Sequence, residues 1–411
     1  MKHFIPFILT AVLFTGCTGK SISTVTIWTD IPEIAVYTEY YNSLEGTDRC
    51  IVVFKQNPAY ALTEEEIHPD VVIGRYLNNS ESKSLFYPID SLAKKTEIPL
   101  DSIYPGLLNR TKIDGTSYTV PLSFNLPGII FPRNDFPDTK KFFYLSPEDI
   151  QTIADRFNSK SGEHYIKMGF NPLWEPELML TTVSGFGTRF RTGEPYLIWE
   201  ESALKKTVSF LRKWITESGE TPSRVQHFAK KYLYEPEYKL IKDNRIFCAH
   251  MTSSEFLELP AERRDHLDIR WFEIDGKVPV LQDIVYAAVP EAAEHKKAGG
   301  AYIKWLLDPE IQEMLITGIE QSDNVSFGFA QGFSSVEKVS ARFFPEAFPF
   351  LLGKIPSDMD LLYPEPLPKS WPRFEKEVLL PWIEEAVSSD EGTSVDLGKK
   401  IETWLLQGGA Y

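Results

Sequence analysis

The sequence predicts a two-lobed α/β protein, each lobe a mostly parallel sheet flanked by helices, with a multi-strand hinge between them. Three observations carry that prediction. The chain of 411 residues is long for a single core. It opens on a strand-helix-strand pattern whose strands are apolar throughout, as strands of a helix-covered parallel sheet are. Two short strands, SYTVP (117–121) and GIIF (128–131), flank the segment SFNLP, which reads as a crossing between lobes.

The elements follow in order. VTIWTD (25–30) reads as a buried strand running into a turn, with Asp30 placed to cap the next helix and Pro32 in its first turn. Ile34, Tyr37, Tyr41 and Leu44 recur at helical spacing on one face, and Gly46 ends that helix. RCIVVF (49–54) and DVVIG (70–74) are the next strands. Ser146 and Asp149 form a capping-box-like start for a helix that buries Ile150, Ile153, Ala154 and Phe157. Ser202 opens another, with Leu204, Val208, Leu211 and Ile215 facing inward. RIFCAHM (245–251) and DIVYAAVP (283–290) return to strand. Helices over 291–307 and from Pro309 come next, and a Pro-rich segment around 356–372 precedes two terminal helices.

Composition narrows the class. Hydrophobic residues at 43 % and aromatics at 13 % exclude a disordered chain. The net charge of -15 disfavours nucleic acid as a partner, because phosphate binding needs arrays of Lys and Arg.

The N-terminus carries a further signal. An apolar stretch after Lys2 ends in Leu13-Phe14-Thr15-Gly16-Cys17, the pattern of a secretory signal closing on small residues. It resembles the lipobox of bacterial lipoproteins, although Phe14 stands where that motif usually has Leu. The resemblance implies that residues 1–16 are removed, that Cys17 is lipidated, and that residues 17–24 tether the body to a membrane. Loss of residues 1–16, with one Lys and no Asp or Glu, takes the net charge from -15 to -16. Thr18 after the cysteine is not the residue that enteric-type sorting uses for inner-membrane retention. Cys50 and Cys248 lie in apolar runs and read as two free buried thiols in different lobes.

Five segments appear in a telling order across residues 25–405: VTIWTD, DVVIGRY, YPIDSLAKK (87–95), IDGTSYTVPLSFNLPGIIFPRN (113–134) and KKAGGAYIKWLLDPEIQEML (296–315). Together they resemble the extracellular solute-binding proteins of ABC transporters, in the branch of maltose-binding protein. That resemblance implies the periplasmic-binding-protein fold, with residues 25–123 and 276–325 in lobe 1 and residues 124–275 and 326–411 in lobe 2. Crossings are expected near 121–126 and 271–276. It implies a monomer in the periplasm or at the cell surface that closes on a sugar or oligosaccharide and delivers it to an ABC permease. No cofactor, metal or nucleic acid is called for, and no catalysis. Two departures, Phe131-Pro132 in place of Tyr-Asn and VLQDIVY in place of Gly-rich text, bear on ligand identity rather than fold.

The physical case for sugar binding runs separately. A sugar has apolar C–H faces and a rim of hydroxyls, so its site needs flat aromatic rings beside carboxylates, amides and Arg. Trp28 and Asp30 supply such a pair at a strand's carboxyl end, where α/β sheets place ligands; Trp28 also reads as a core residue. Arg75 follows a strand and reads either as a fork onto hydroxyls or as a solvated Arg. Asn125 in the crossing reads as a cleft amide or as turn chemistry. Trp174 sits in the Pro-bounded loop NPLWEPE and is expected to face ligand. Ser254 and Phe256 stand just beyond RIFCAHM, at the matching exit of the second lobe.

Other chemistries find no foothold. Tyr40-Tyr41 is a tyrosine pair of the kind that binds ferric iron, but it lies on the first helix, where Tyr41 completes the core face. The seven His residues are scattered without zinc-site spacing. No G-x-S-x-G elbow, P-loop or G-x-G-x-x-G is present. Two rivals stay in view. A secreted glycoside hydrolase would set two carboxylates roughly 5–10 Å apart across a cleft. A surface lipoprotein with an adhesin or antigenic role would keep the fold and show a filled or apolar cleft.

Overall fold

The computed structural model describes residues 23–134, 143–216, 221–321, 326–389 and 396–409. Cys17, the signal segment and nearly all of the tether lie outside the described residues. The apolar runs form strands β1 (Thr24–Thr29), β2 (Arg49–Phe54), β3 (Val71–Arg75), β4 (Val120–Phe124), β5 (Pro127–Pro132), β6 (Tyr144–Leu145), β7 (Ala249–Thr252), β8 (Leu267–Phe272), β9 (Val278–Pro279), β10 (Val285–Ala288), β11 (Phe333–Ser334) and β12 (Leu361–Leu362).

These strands build two main sheets. The first has the order β11-β4-β10-β3-β1-β2 and the second β7-β5-β8-β6. The two-lobed α/β class holds, but its parallel character is local. β1 runs parallel to β2 and β3, whereas β10 is antiparallel to both β3 and β4. In the second sheet β5 is antiparallel to β7 and β8, and only β8 with β6 is parallel. The connections explain this. Parallel neighbours need a long crossover, which the helix Glu33–Ser43 supplies between β1 and β2. β10 instead returns from the other sheet and inserts between β3 and β4 from the opposite end.

Local chemistry follows the sequence in most places. The helix Glu33–Ser43 turns Ile34, Tyr37 and Tyr41 inward. Ser146 and Asp149 make a complete capping box for the helix Pro147–Phe157. Asp30, however, does not cap the first helix: Pro32 is the N-cap with no side-chain bond, and Thr29 Oγ1 accepts the Ile31 N–H at 3.0 Å. RIFCAHM is strand only from Ala249, because the N–H groups of Phe247 and Cys248 both turn to the carbonyl of Gly169. Cys50, in β2, and Cys248, just before β7, are free and buried. Among the described residues no helix is long and apolar enough to cross a membrane.

The chain passes from the first sheet to the second at Asn125–Leu126, between β4 and β5. It returns over residues 273–284, between β8 and β10, later than the expected 271–276 because β8 stays paired to Phe272. A third passage follows β11. Residues 326–411 are therefore not confined to the second lobe, since Phe333–Ser334 forms the edge of the first sheet against β4. The passages are laced together. β9 pairs with β12, Val280 N–H donates to Leu362 O at 2.9 Å, and Leu281 N–H donates to Asn125 O at 3.0 Å.

A tight turn before β11 has left-handed backbone at Gly328, Ala330 and Gln331, with φ of 71°, 46° and 66°. Gly332 closes it against β4, where an added Cβ would lie 2.6 Å from Phe124 O, a main-chain atom that cannot swing aside. Gly332→Ala is expected to cost about 2 kcal/mol through this overlap. A urea titration reads that as a lower midpoint with unchanged slope; a midpoint equal to the parent's would mean the turn has room to shift.

Candidate functional site: a cavity at the junction of the sheets

Where β4 leaves the first sheet, the side chain of Asn125 is surrounded by partners from every direction. Its Nδ2 donates to Asp283 Oδ2 and to Gln331 O, both at 2.9 Å. Its Oδ1 accepts from Ser253 Oγ at 2.7 Å and Ser254 Oγ at 2.5 Å. Ser254 Oγ also reaches Gln331 O at 3.1 Å. The turn at 328–332 holds Gln331 there, and Gln331 Oε1 in turn accepts from Arg75 at 2.6 Å. Arg75 faces Asp30 across 3.6 Å. Burial pushes the Asp30 carboxyl above its ordinary range even though Arg75 pulls it down. Non-glycine residues in left-handed backbone, each costing roughly 1–3 kcal/mol, are common at functional sites. Besides Ala330 and Gln331 they include Tyr76 and Arg189, both on the cavity wall described next.

Beside this network lies a cavity of about 310 Å³, within the range of small-molecule sites. Its wall draws on both sheets and on the passages between them. Tyr76 follows β3, Arg110 comes from beside the first sheet, and His250 and Thr252 belong to β7. Residues 279–283 come from the second passage and 362–365 from the third; Glu177 lies on the helix Pro176–Val183. Tyr363 is an aromatic plate on the wall: its ring lies so close to Gly106 that a Cβ there would stand 1.9 Å from a ring carbon. The Tyr363 hydroxyl donates to Asp358 at 2.7 Å. Arg110 pairs with Glu365 at 2.6 Å.

Several wall atoms are buried without a hydrogen-bond partner among the described residues: Asp283 Oδ1, Gln282 Oε1 and His250 Nε2. Burying such groups unmatched costs free energy, so each marks a place for a polar ligand atom or water. Burial depresses the His250 imidazole to about 4, and it is neutral at physiological pH. Burial raises the Glu375 carboxyl to about 7, against the opposing hydrogen bond from Trp371 and with Glu177 and Asp283 nearby. Glu177 and Asp283 are raised as well, again chiefly by burial. No group of three or more His, Cys, Asp or Glu side chains among the described residues is arranged to hold a metal ion.

The seven residues singled out from the sequence fall into two groups, and none is on the cavity wall. Asp30, Arg75, Asn125 and Ser254 meet in the network behind it. Trp28, Trp174 and Phe256 lie away from this cavity, each against other side chains. Trp28 is 4 % exposed with the Lys55 ammonium over its ring. Trp174 stacks among Phe170 and Phe228. Phe256, 1 % exposed, packs on Phe350. The wall residues Tyr76, Glu177, His250, Asp283, Tyr363 and Glu375 escaped the sequence reading. The signals available were that Tyr76 stands at a strand exit, that His250 is a polar residue in the apolar run RIFCAHM, and that Tyr363 lies in the Pro-rich YPEP.

No protein-family model and no curated protein matches the sequence. Solved structures do match its architecture. CpMnBP1 with mannotriose bound superposes with a TM-score of 0.62 at 14 % identity, over 95 % of this chain and 100 % of that one. The ABC substrate-binding protein Lmo0181 from Listeria monocytogenes, in complex with cycloalternan, gives 0.62 at 13 %, over 94 % and 99 %. The Thermus thermophilus maltotriose-binding protein gives 0.57 at 11 %, over 94 % and 99 %. The chain has the two-lobed fold of these ABC solute-binding proteins.

The two strongly shifted wall groups act on stability in opposite directions. His250, depressed when folded, takes its proton more readily in the unfolded chain, so its contribution is lost as pH falls from about 6.5 towards 4. Glu375, raised when folded, contributes fully below about 4.5 and loses that contribution as pH rises through about 7. Glu375→Gln, which keeps an acceptor for Trp371, is expected to stabilise the ligand-free protein by on the order of 2 kcal/mol at pH 8 and by nothing at pH 4. Melting curves at the two pH values check this, and an equal change at both would rule out titration of Glu375 as the cause.

Proposed function

We propose that this chain is an extracytoplasmic solute-binding protein that captures a sugar or oligosaccharide between two lobes and hands it to an ABC permease. The observation that carries the reading is the cavity at the junction of the sheets. It receives aromatic rings and unmatched polar atoms from both sheets and from the passages that join them. A ligand there touches both lobes at once, and contacts made only when the lobes are together shift the population toward the closed form. Structural neighbours bound to mannotriose, cycloalternan and maltotriose support a carbohydrate as the cargo and a binding role in place of catalysis. In this reading one lobe is built on β1–β4, β10 and β11 and the other on β5–β8, working as a monomer. Lipid on Cys17 holds the protein beside its transporter, at the periplasmic face of a membrane or the cell surface. An adhesin or antigen on the same fold is disfavoured by a cleft that is neither filled nor apolar.

A thermal-shift screen over gluco-, malto- and manno-oligosaccharides tests the reading. A binder at a hundred times its Kd stabilises by about 2.7 kcal/mol, a rise of a few degrees. Tyr363→Ala is expected to weaken the hit by about tenfold through loss of the aromatic plate. If no carbohydrate shifts the melting temperature, the cargo assignment fails; if Tyr363→Ala binds as tightly as the parent, the cavity is not where the sugar sits.

A further inference from the structure

We propose that the cavity prefers a carbohydrate bearing a protonated amine, an aminosugar residue or an amine-substituted oligosaccharide, over the neutral equivalent. The inference rests on the carbohydrate reading above and concerns which chemistry the same cavity selects.

The wall carries four carboxylates and two guanidiniums. Arg110 and Glu365 satisfy each other, and Arg189 is exposed at the edge. That leaves Glu177, Asp283 and Glu375 with no basic residue paired to them among the described residues. Each also keeps acceptor capacity. Asp283 receives Asn125 on Oδ2, while its Oδ1 is buried without a partner. Glu375 receives Trp371 Nε1 on Oε2 at 2.6 Å, and its other oxygen is unbonded. The Glu177 carboxylate makes no hydrogen bond among the described residues. Behind the wall, the Arg75 guanidinium pulls on Asp283 through its charge, but its ion pair and hydrogen bond go to Asp30 and Gln331.

A separate observation indicates that this wall awaits a ligand. His250, only 8 % exposed, sits on it with Nε2 unmatched. Being neutral, it offers no charge to compensate the carboxylates.

Sugar hydroxyls alone do not relieve this arrangement. A hydroxyl donates to a carboxylate but leaves the repulsion between like charges in a poorly solvated space. An ammonium supplies charge and up to three donors, the complement of oxygens already desolvated. The groups that face Glu375 are Glu177 from the helix Pro176–Val183, Asp283 from the second passage, Tyr76 after β3 and Trp371 from its own helix. Arg75, Arg110, Arg189, Glu365, His250 and Tyr363 stand further round, with Glu255 raising Glu177 and Asp283 from behind. Because burial and these neighbours hold the Glu375 carboxyl near 7, an ammonium favours its ionised form. Amine affinity is therefore expected to rise as pH increases from 5.5 to 7, by up to about tenfold per unit for each proton released.

Isothermal titration on the full mature chain tests the proposal with matched trisaccharides: three glucosamine, three N-acetylglucosamine or three glucose units, beside neutral malto- and manno-trisaccharides. The expected result at pH 7 is that the amine form binds at least about tenfold more tightly than the best neutral sugar. The Glu177→Gln, Glu375→Gln double variant should then bring that ratio toward one and flatten its pH dependence. If a neutral trisaccharide binds and the amine binds equally or more weakly, the preference is wrong while the carbohydrate reading stands. If none of the five binds, both fall together. A preference that survives the double variant would place the amine elsewhere and equally overturn the assignment.

Discussion

Everything at the junction depends on how one buried amide is satisfied. Asn125 stands where the chain leaves the first sheet, a point at which main-chain groups lose their ladder partners. Its side chain replaces them by bonding Asp283 and Gln331 through Nδ2 and two serine hydroxyls through Oδ1. Its own carbonyl accepts Leu281 N–H from the second passage. One residue thus ties the first passage, the second passage, the strained turn before β11 and the start of the helix Ser253–Glu258. An amide is the group that can do this, since it donates and accepts simultaneously without charge. Aspartate could not donate to Gln331 O, and an apolar residue would take away four hydrogen bonds, leaving Asp283 without its side-chain donor.

The cost of that arrangement is visible around it. Ala330 and Gln331 sit in left-handed backbone so that Gln331 can offer its carbonyl to Asn125 and its side chain to Arg75. Arg75 thereby gives its hydrogen bond and ion pair to Gln331 and Asp30 and reaches Asp283 only through its field, which lowers that carboxyl against the larger effect of burial; Glu177, Asp283 and Glu375 have no ion pair among the described residues. The charge imbalance of the wall follows from the architecture of the hinge: the arginine that could neutralise the wall is spent on positioning the turn. Such a site is strained and electrostatically unfinished when empty, which makes a ligand's contacts worth more than they would be in water.

This also explains what the sequence made legible. Apolar strands, helix faces and the Ser146 capping box are local patterns, and they folded as read because burial and capping act within a few residues. The crossing at SFNLP was legible for the same reason. Asp30, Arg75, Asn125 and Ser254 were recognised as special by their positions at strand exits, and they do meet, but as the support behind the wall. Trp28, Trp174 and Phe256 show why aromatic residues are ambiguous in a sequence: their large apolar surface is as useful to a core as to a sugar, and here each contacts other side chains away from the cavity. The wall itself comes from connections 362–365 and 279–283, whose meeting is set by β9 pairing with β12 across more than 80 residues of chain. No local pattern encodes that pairing.

The margins of the junction differ in composition from its interior. Trp271 of β8 meets Phe333 of β11 edge-on at 5.9 Å in the buried interior, and polar and ionic contacts lie at the margins. Arg110 reaches Glu365, and Lys369 extends to Thr63 and Glu81 at 3.1 and 3.2 Å. Such partly exposed pairs are each worth no more than about 1 kcal/mol, because water competes for the same groups. A buried aromatic contact ringed by weak polar pairs concentrates the junction's stability in its interior and in the lacing around Asn125, and leaves the margins open to exchange with water.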